Sequence, residues 1–149
     1  MDVQIREVRA GEGEAWLGLR ERLWPQSSRE DLSREREEIA ADPRRNGVLV
    51  AVTGGELVGF VEVSIRDWAE GCVTRGVGYI EGWYVSPEHQ RRGIGRRLIE
   101  AAEGWARSRD CTEMGSDADL DNVVSHQAHK ALGYREVGPI MLFSKRLGA

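Results

Sequence analysis

The sequence predicts an α/β domain with a mixed sheet, on three observations. Segments of period-two apolar alternation are interleaved with segments whose apolar residues recur at helical spacing, as in helices packed on a sheet. An early pair of strand-like runs, GVLVAV and LVGFVEVSIR, is joined by TGGE, a glycine pair suited to a tight hairpin. A third apolar run, YIEGWYV, leads through SPEHQRRGIG into an amphipathic segment, a strand–turn–helix junction rich in glycine and arginine.

In chain order, VQIREV alternates as a strand. GEAWLGLRERLW places Trp16, Leu19 and Leu23 on one helical face, and Pro25, which cannot continue a helix, ends it. Ser28 and Asp31, three residues apart, resemble a capping box and open a second helix through Ile39. Its charge density favours a solvated face with i,i+4 ion pairs; a cleft or dimer role is the alternative. After the hairpin, YIEGWYV reads as a buried strand with a bulge near Gly82. Ile94, Leu98, Ala102 and Trp105 then make one apolar face of a helix starting near Gly93. CTEMGSD reads as a strand, NVVSHQAHKAL as a helix and IMLFSKRL as a closing strand. No repeat, low-complexity tract or linker divides residues 1–149, so one domain is expected.

Bulk properties narrow the function classes. With 40% hydrophobic and 31% charged residues, the chain has the composition of an ordinary globular protein. No apolar run approaches the roughly 20 residues that span a bilayer, and MDVQIREVRA lacks the apolar core of a secretory leader. A cytoplasmic location away from membranes is therefore expected. Cys72 and Cys111 have no metal-ligand spacing and read as reduced thiols. His126 and His129, three apart on a helix, have no evident third ligand, so no metal is expected. A pI near 5.5 argues against nucleic acid and suits a cationic partner.

The junction HQRRGIG carries the most chemistry. A helix that starts after a glycine turn exposes backbone N–H groups, and with the positive end of its dipole these favour phosphate. Gly93 and Gly95 let phosphate oxygens approach the backbone, and Arg91, Arg92 and Arg96 add positive charge. The segment lacks the GK[ST] of a P-loop, and GIGRRL lacks the third small residue of a dinucleotide fingerprint.

Gln90, Gly93 and Gly95 after a strand, followed by Asn122, His129 and LGYRE, resemble the motifs of the GNAT superfamily of N-acetyltransferases. LRERLWP, SIRDWAEGC, IEGWYV and EMGSDADLDN together resemble its aminoglycoside 6'-N-acetyltransferase branch. The resemblance implies a single-domain GNAT-like fold: a mixed, mostly antiparallel sheet with a splayed central strand pair and flanking helices, in a homodimer. It implies acetyl-CoA as co-substrate, its pantetheine arm pairing with the strand edge at Trp83, Tyr84 and Val85. Backbone donors of Arg91, Arg92, Gly93, Ile94, Gly95 and Arg96 would hold the pyrophosphate, with Asn122 at the pantetheine end. His129 stands where many members carry a tyrosine thought to protonate the leaving thiolate, and VGPI lacks an acidic residue expected in that branch.

For the acceptor, a small polycationic amine, the resemblance assigns Glu81 and Asp117. An ammonium of pKa near ~10 must lose a proton before it attacks, and a carboxylate can take it directly or through water. Trp24 and Trp68 are candidate walls, since aromatic faces pack on sugar C–H surface and attract cations. Three readings remain open at this point: the aminoglycoside enzyme, a GNAT enzyme for another amine, and a non-catalytic acyl-CoA sensor.

Overall fold

The computed structural model describes residues 2–148, which fall into two compact units, one ending at Asp117 and one beginning at Ala118. The first unit holds strand β1 (Gln4–Glu7), helices α1 (Gly13–Leu23) and α2 (Arg29–Ala41), and strands β2 (Asn46–Thr53), β3 (Glu56–Arg66) and β4 (Val77–Val85). Helix α3 (Ile94–Arg107) and the short strand β5 (Met114–Ser116) complete it. The sheet order is β1-β2-β3-β4-β5, antiparallel except for the parallel β4–β5 pair.

Local chemistry explains the elements. Gly54 and Gly55, with φ of 58° and 78°, make the two-residue connection between β2 and β3 that mirror-image hairpin turns require. The Ser28 hydroxyl accepts the Asp31 N–H at 3.1 Å and caps α2. Trp16 and Leu19 of α1 pack with Val48, Val50, Leu57 and Phe60 on one sheet face. On the other face α3 buries Ile94, Leu98, Ala102 and Trp105. There the sheet turns glycines toward the helix: a Cβ on Gly47 would lie 2.6 Å from Trp105, and one on Gly78 2.8 Å from Ala106.

Pairing of β3 with β4 slips by one residue, since Val63 faces Ile80 but Glu62 faces Gly82. Glu81 is the extra residue of this bulge, adjoining the expected position.

The second unit holds helix α4 (Val123–Ala131) and the segment that follows it. The expected closing strand IMLFSKRL is absent: no residue of 132–148 lies in a strand. Alternation alone does not make a strand, because its backbone groups need a ladder partner. Ile140, Met141, Leu142 and Phe143 are instead exposed. No described helix is long and apolar enough to cross a membrane.

Candidate active site

The predicted donor site begins at the end of β4. This strand pairs with β3 as far as Val85, opposite Gly59, but with β5 only from Gly78 to Ile80. Its stretch from Trp83 to Val85 therefore lies beyond the β5 ladder, which ends at Ile80. The Gln90 side-chain amide donates to the Val85 carbonyl at 3.0 Å and ties the turn to the end of β4. Arg91 then takes a φ of 64° and Gly93 one of 78°. The left-handed conformation costs a side-chain-bearing residue about 1 kcal/mol or more, so this turn holds strain that its surroundings must fix. Gly93 is the N-cap of α3 and supplies no side-chain cap, which leaves the first N–H groups of the helix for another acceptor. The guanidinium-bearing Arg91, Arg92 and Arg96 are exposed around it, and a Cβ on Gly95 would come 3.3 Å from the Trp83 ring. Orphan donors, dipole and positive charge fit a pyrophosphate.

On the α1–α2 side of the sheet lies a cleft of about 500 Å3. Trp24, Glu35, Glu38, Glu62, Ser64 and Glu81 are among its lining residues. The charged helix α2 is thus not only a solvated surface; Glu35 and Glu38 face this cleft. Trp24 is a wall and also part of the core, with its ring edge-on to Phe60 at 6.3 Å. A Cβ on Gly82 would lie 2.6 Å from that ring, so the bulge glycine makes room for it. Trp68 is exposed in the loop that leaves β3.

The carboxylates are less free than the sequence suggests. Glu81 accepts from the Ser64 hydroxyl at 2.6 Å and from Arg66 Nε and Nη2 at 2.9 and 2.7 Å. The Arg66 guanidinium also lies over the Tyr79 ring, 3.6 Å from its centroid, and the Tyr79 hydroxyl donates to Asp117 at 2.7 Å. Burial first, and then the bond to Asp117, push the Tyr79 hydroxyl well above its usual pKa, so it stays a donor. Hydrogen bonding to Glu81 likewise raises the Arg66 guanidinium.

Beneath the cleft, buried Glu62 accepts from Trp16 Nε1 at 2.8 Å and from Arg20 Nε and Nη2 at 2.8 and 3.2 Å. Burial pushes the Glu62 carboxyl up, while the charge and hydrogen bonds of Arg20 oppose it. Arg20 also donates to the Leu32 carbonyl and Glu35, and stacks on Trp24 at 4.8 Å. One buried guanidinium thereby ties α1, α2 and β3 to the cleft wall.

In the second unit, the Asn122 side chain caps α4 by accepting from Ser125 N at 3.1 Å. His129 Nδ1 donates to the Ser125 carbonyl at 2.7 Å, which places the proton of the neutral ring on Nδ1. His126 Nε2 donates to the Asp119 carbonyl at 2.8 Å.

A family model for the Acetyltransferase (GNAT) family matches residues 14–134. The chain belongs to that family. It is 42% identical over 146 residues to an aminoglycoside N(6')-acetyltransferase type 1 of Klebsiella aerogenes, covering 96% of each chain. A Serratia marcescens protein of the same description is 38% identical, with 91% of this chain and 93% of that one covered. Among solved structures, AAC(6')-Iy in complex with the bisubstrate analogue CoA-S-monomethyl-acetylneamine superimposes with a TM-score of 0.93. It is 32% identical, over 98% of this chain and 99% of that one. The apo AAC(6')-IG of Acinetobacter haemolyticus gives a TM-score of 0.92 at 36% identity, over 97% and 99%.

Within this GNAT acyltransferase, sequence reasoning missed Arg20, Glu62, Ser64, Arg66 and Tyr79. A signal existed for three of them. Glu62, Ser64 and Arg66 recur at i, i+2, i+4 in an otherwise apolar strand, which puts all three on one sheet face.

Proposed function

We propose that this enzyme transfers the acetyl group of acetyl-CoA to the 6'-amino group of aminoglycosides by direct attack in a ternary complex. The observation that carries the reading is one of continuity. A single strand, β4, bears the acceptor-side Glu81 and, two to four residues on, the stretch beyond the β5 ladder that runs into the turn before α3, whose N-cap supplies no side-chain bond. The likeness to curated aminoglycoside N(6')-acetyltransferases supports the choice of substrate. Close coverage of those relatives supports residues 1–149 working as one acetyltransferase domain.

In this reading the backbone of Trp83, Tyr84 and Val85 receives the pantetheine arm as an added strand. N–H groups from Arg91 to Arg96 hold the pyrophosphate. A backbone N–H between Gly82 and Tyr84 faces the thioester oxygen as negative charge develops there. The amine nitrogen bonds to the acyl carbon, the carbon–sulfur bond breaks, and the thiolate takes up a proton. Glu81 or Asp117 receives the proton the ammonium must shed, directly or through water. Trp24 and Trp68 flank the sugar. No covalent enzyme intermediate is needed, because holding both reactants together can supply much of the rate. Burial raises the Cys72 and Cys111 thiols above their usual pKa, which disfavours either as a nucleophile.

The exposed apolar run from Ile140 to Phe143 supports a homodimer, since a second copy of the chain would bury it. Use of a coenzyme A thioester suits a cytoplasmic location.

The test is thiol release from acetyl-CoA with four acceptors: a 6'-amino aminoglycoside, its 6'-hydroxyl analogue, a linear polyamine and a lysine peptide. Turnover of the first alone is expected, with the product acetylated at N6'. Equal turnover of the 6'-hydroxyl analogue, or turnover of the polyamine or peptide only, rejects the assignment.

A further inference from the structure

Two side chains, Arg66 and Tyr79, link the proposed acceptor carboxylates Glu81 and Asp117 without a break. Resting on the acceptor role proposed for Glu81 and Asp117, we propose that Arg66 and Tyr79 are positioning residues that fix the two carboxylates relative to each other. Neither needs to touch the reacting atoms.

The arrangement is built into the sheet. Ser64 of β3 stands opposite Tyr79 of β4, and Arg66 lies two residues further along the same face of β3. The Tyr79 ring is buried and lies across β5, where Gly115 makes room for it. A Cβ on Gly115 would come within 2.9 Å of the ring. The ring therefore has one place to sit, and its hydroxyl reaches Asp117, the first residue beyond β5. Having left the ladder, Asp117 has no strand pairing to orient it; the hydroxyl supplies that restraint.

Arg66 uses two parts of one planar group. Its face stacks on Tyr79, and its Nε–Nη2 edge forms a fork on Glu81. A lysine ammonium is a compact point charge with no plane to stack and no fork to present, so it cannot hold both contacts at once. The geometry has an electrostatic consequence. Arg66 neutralises Glu81, so this group of three charges keeps one net negative charge, and Asp117 carries it. An incoming ammonium is drawn to the Asp117 end, against a Glu81 already held in place.

Tyr79→Phe isolates the hydroxyl, because it keeps the ring, its burial and its stack under Arg66. Steady-state kinetics for the acceptor and for acetyl-CoA should be measured on Tyr79→Phe, Asp117→Asn, the double variant and Arg66→Lys. Loss of a hydrogen bond to a charged group predicts a fall of about ten-fold or more in acceptor kcat/KM for Tyr79→Phe. The acetyl-CoA KM should stay within about two-fold, a split that general loosening of the fold would not produce. In the Asp117→Asn background, Tyr79→Phe should change acceptor kinetics by less than about two-fold, since its partner charge is gone. Arg66→Lys should raise the acceptor KM and spare the donor.

Normal acceptor kinetics in Asp117→Asn overturn the acceptor role of Asp117, and the inference with it. If Asp117→Asn is impaired but Tyr79→Phe is not, or if the two losses multiply in full, the positioning role alone is overturned. A Tyr79→Phe protein that loses acetyl-CoA affinity in parallel also overturns it, in favour of simple packing.

Discussion

The buried ion pair under the cleft gives the sharpest prediction about stability. Arg20 and Glu62 have only 4% and 3% of their side-chain surface exposed, whereas the second partner of Arg20, Glu35, is 50% exposed. Glu62→Gln is nearly isosteric and keeps an oxygen for Trp16, but it removes the only buried countercharge that contacts Arg20 among the described residues. Stranding one partner of a buried pair costs about 3–5 kcal/mol, because the desolvation of the remaining ion is no longer offset. For a chain of this length each kcal/mol moves Tm by roughly 2–4 °C, so a fall of roughly 6–20 °C is expected. Urea unfolding with linear extrapolation would measure it directly. Pairing Glu62→Leu with Arg20→Met should recover most of the loss, since a buried pair replaced by apolar groups is often neutral or stabilising. The acceptor KM should rise in Glu62→Gln more than the acetyl-CoA KM, because Arg20 also stacks on Trp24. A loss below about 1 kcal/mol, the range of a solvent-exposed pair, would refute the reasoning.

Two further outcomes follow from local geometry. Gly93→Val places a β-branched residue at a φ of 78° with open space around its Cβ, so any effect comes from the backbone and not from a clash. It should weaken coenzyme A binding strongly by calorimetry while the far-UV spectrum stays native; unchanged affinity in the folded variant would remove the turn from the donor site. Glu12, held by both nitrogens of the Arg6 fork, has its pKa lowered from 4.5 to about 2, first by that hydrogen bond. A carboxylate whose pKa is depressed by folding adds stability that is complete above its unfolded value and is lost as pH falls through the folded one. The Tm of the wild type should therefore drop between pH 4.5 and about 2 more steeply than that of Glu12→Gln, and parallel curves would discount the pair.

Local signals account for what was legible in the sequence. The hairpin, the cap at Ser28, the bulge near Gly82 and the uncapped turn before α3 all follow from residues within a few positions of each other. The turn proposed to hold the donor was readable for that reason, being one strand end and one helix start. The acceptor side draws on α1, α2, β3, β4 and the end of β5, and no window of sequence contains it. Glu81 could be named, but not its partner Arg66, fifteen residues earlier on the neighbouring strand. The closing strand failed on the same ground in reverse: IMLFSKRL has the composition of a strand, and strand formation depends on an edge the sequence does not specify.

The bulge at Glu81 decides which face of β4 each part of the proposed site occupies. Side chains of a regular strand alternate, so Gly78, Ile80 and Gly82 would share a face. Gly78 does face α3, since an added Cβ would strike Ala106, yet Gly82 faces α1, where an added Cβ would strike Trp24. One extra residue has inverted the strand, as a shift of one position must. Before the bulge, Tyr79 turns to Asp117; after it, Trp83 packs against Gly95 in the turn before α3, while Tyr84 lies 6.3 Å from Phe60 on the α1 side. Strict alternation would send Trp83 to the acceptor side with Tyr79. Glu81, the residue left over, has no partner across the ladder and so is available to Ser64 and Arg66. Past the bulge β4 also runs on beyond its β5 ladder, which ends at Ile80. A single inserted residue thus turns Glu81 to Ser64 and Arg66 and exchanges the faces of the strand beyond it.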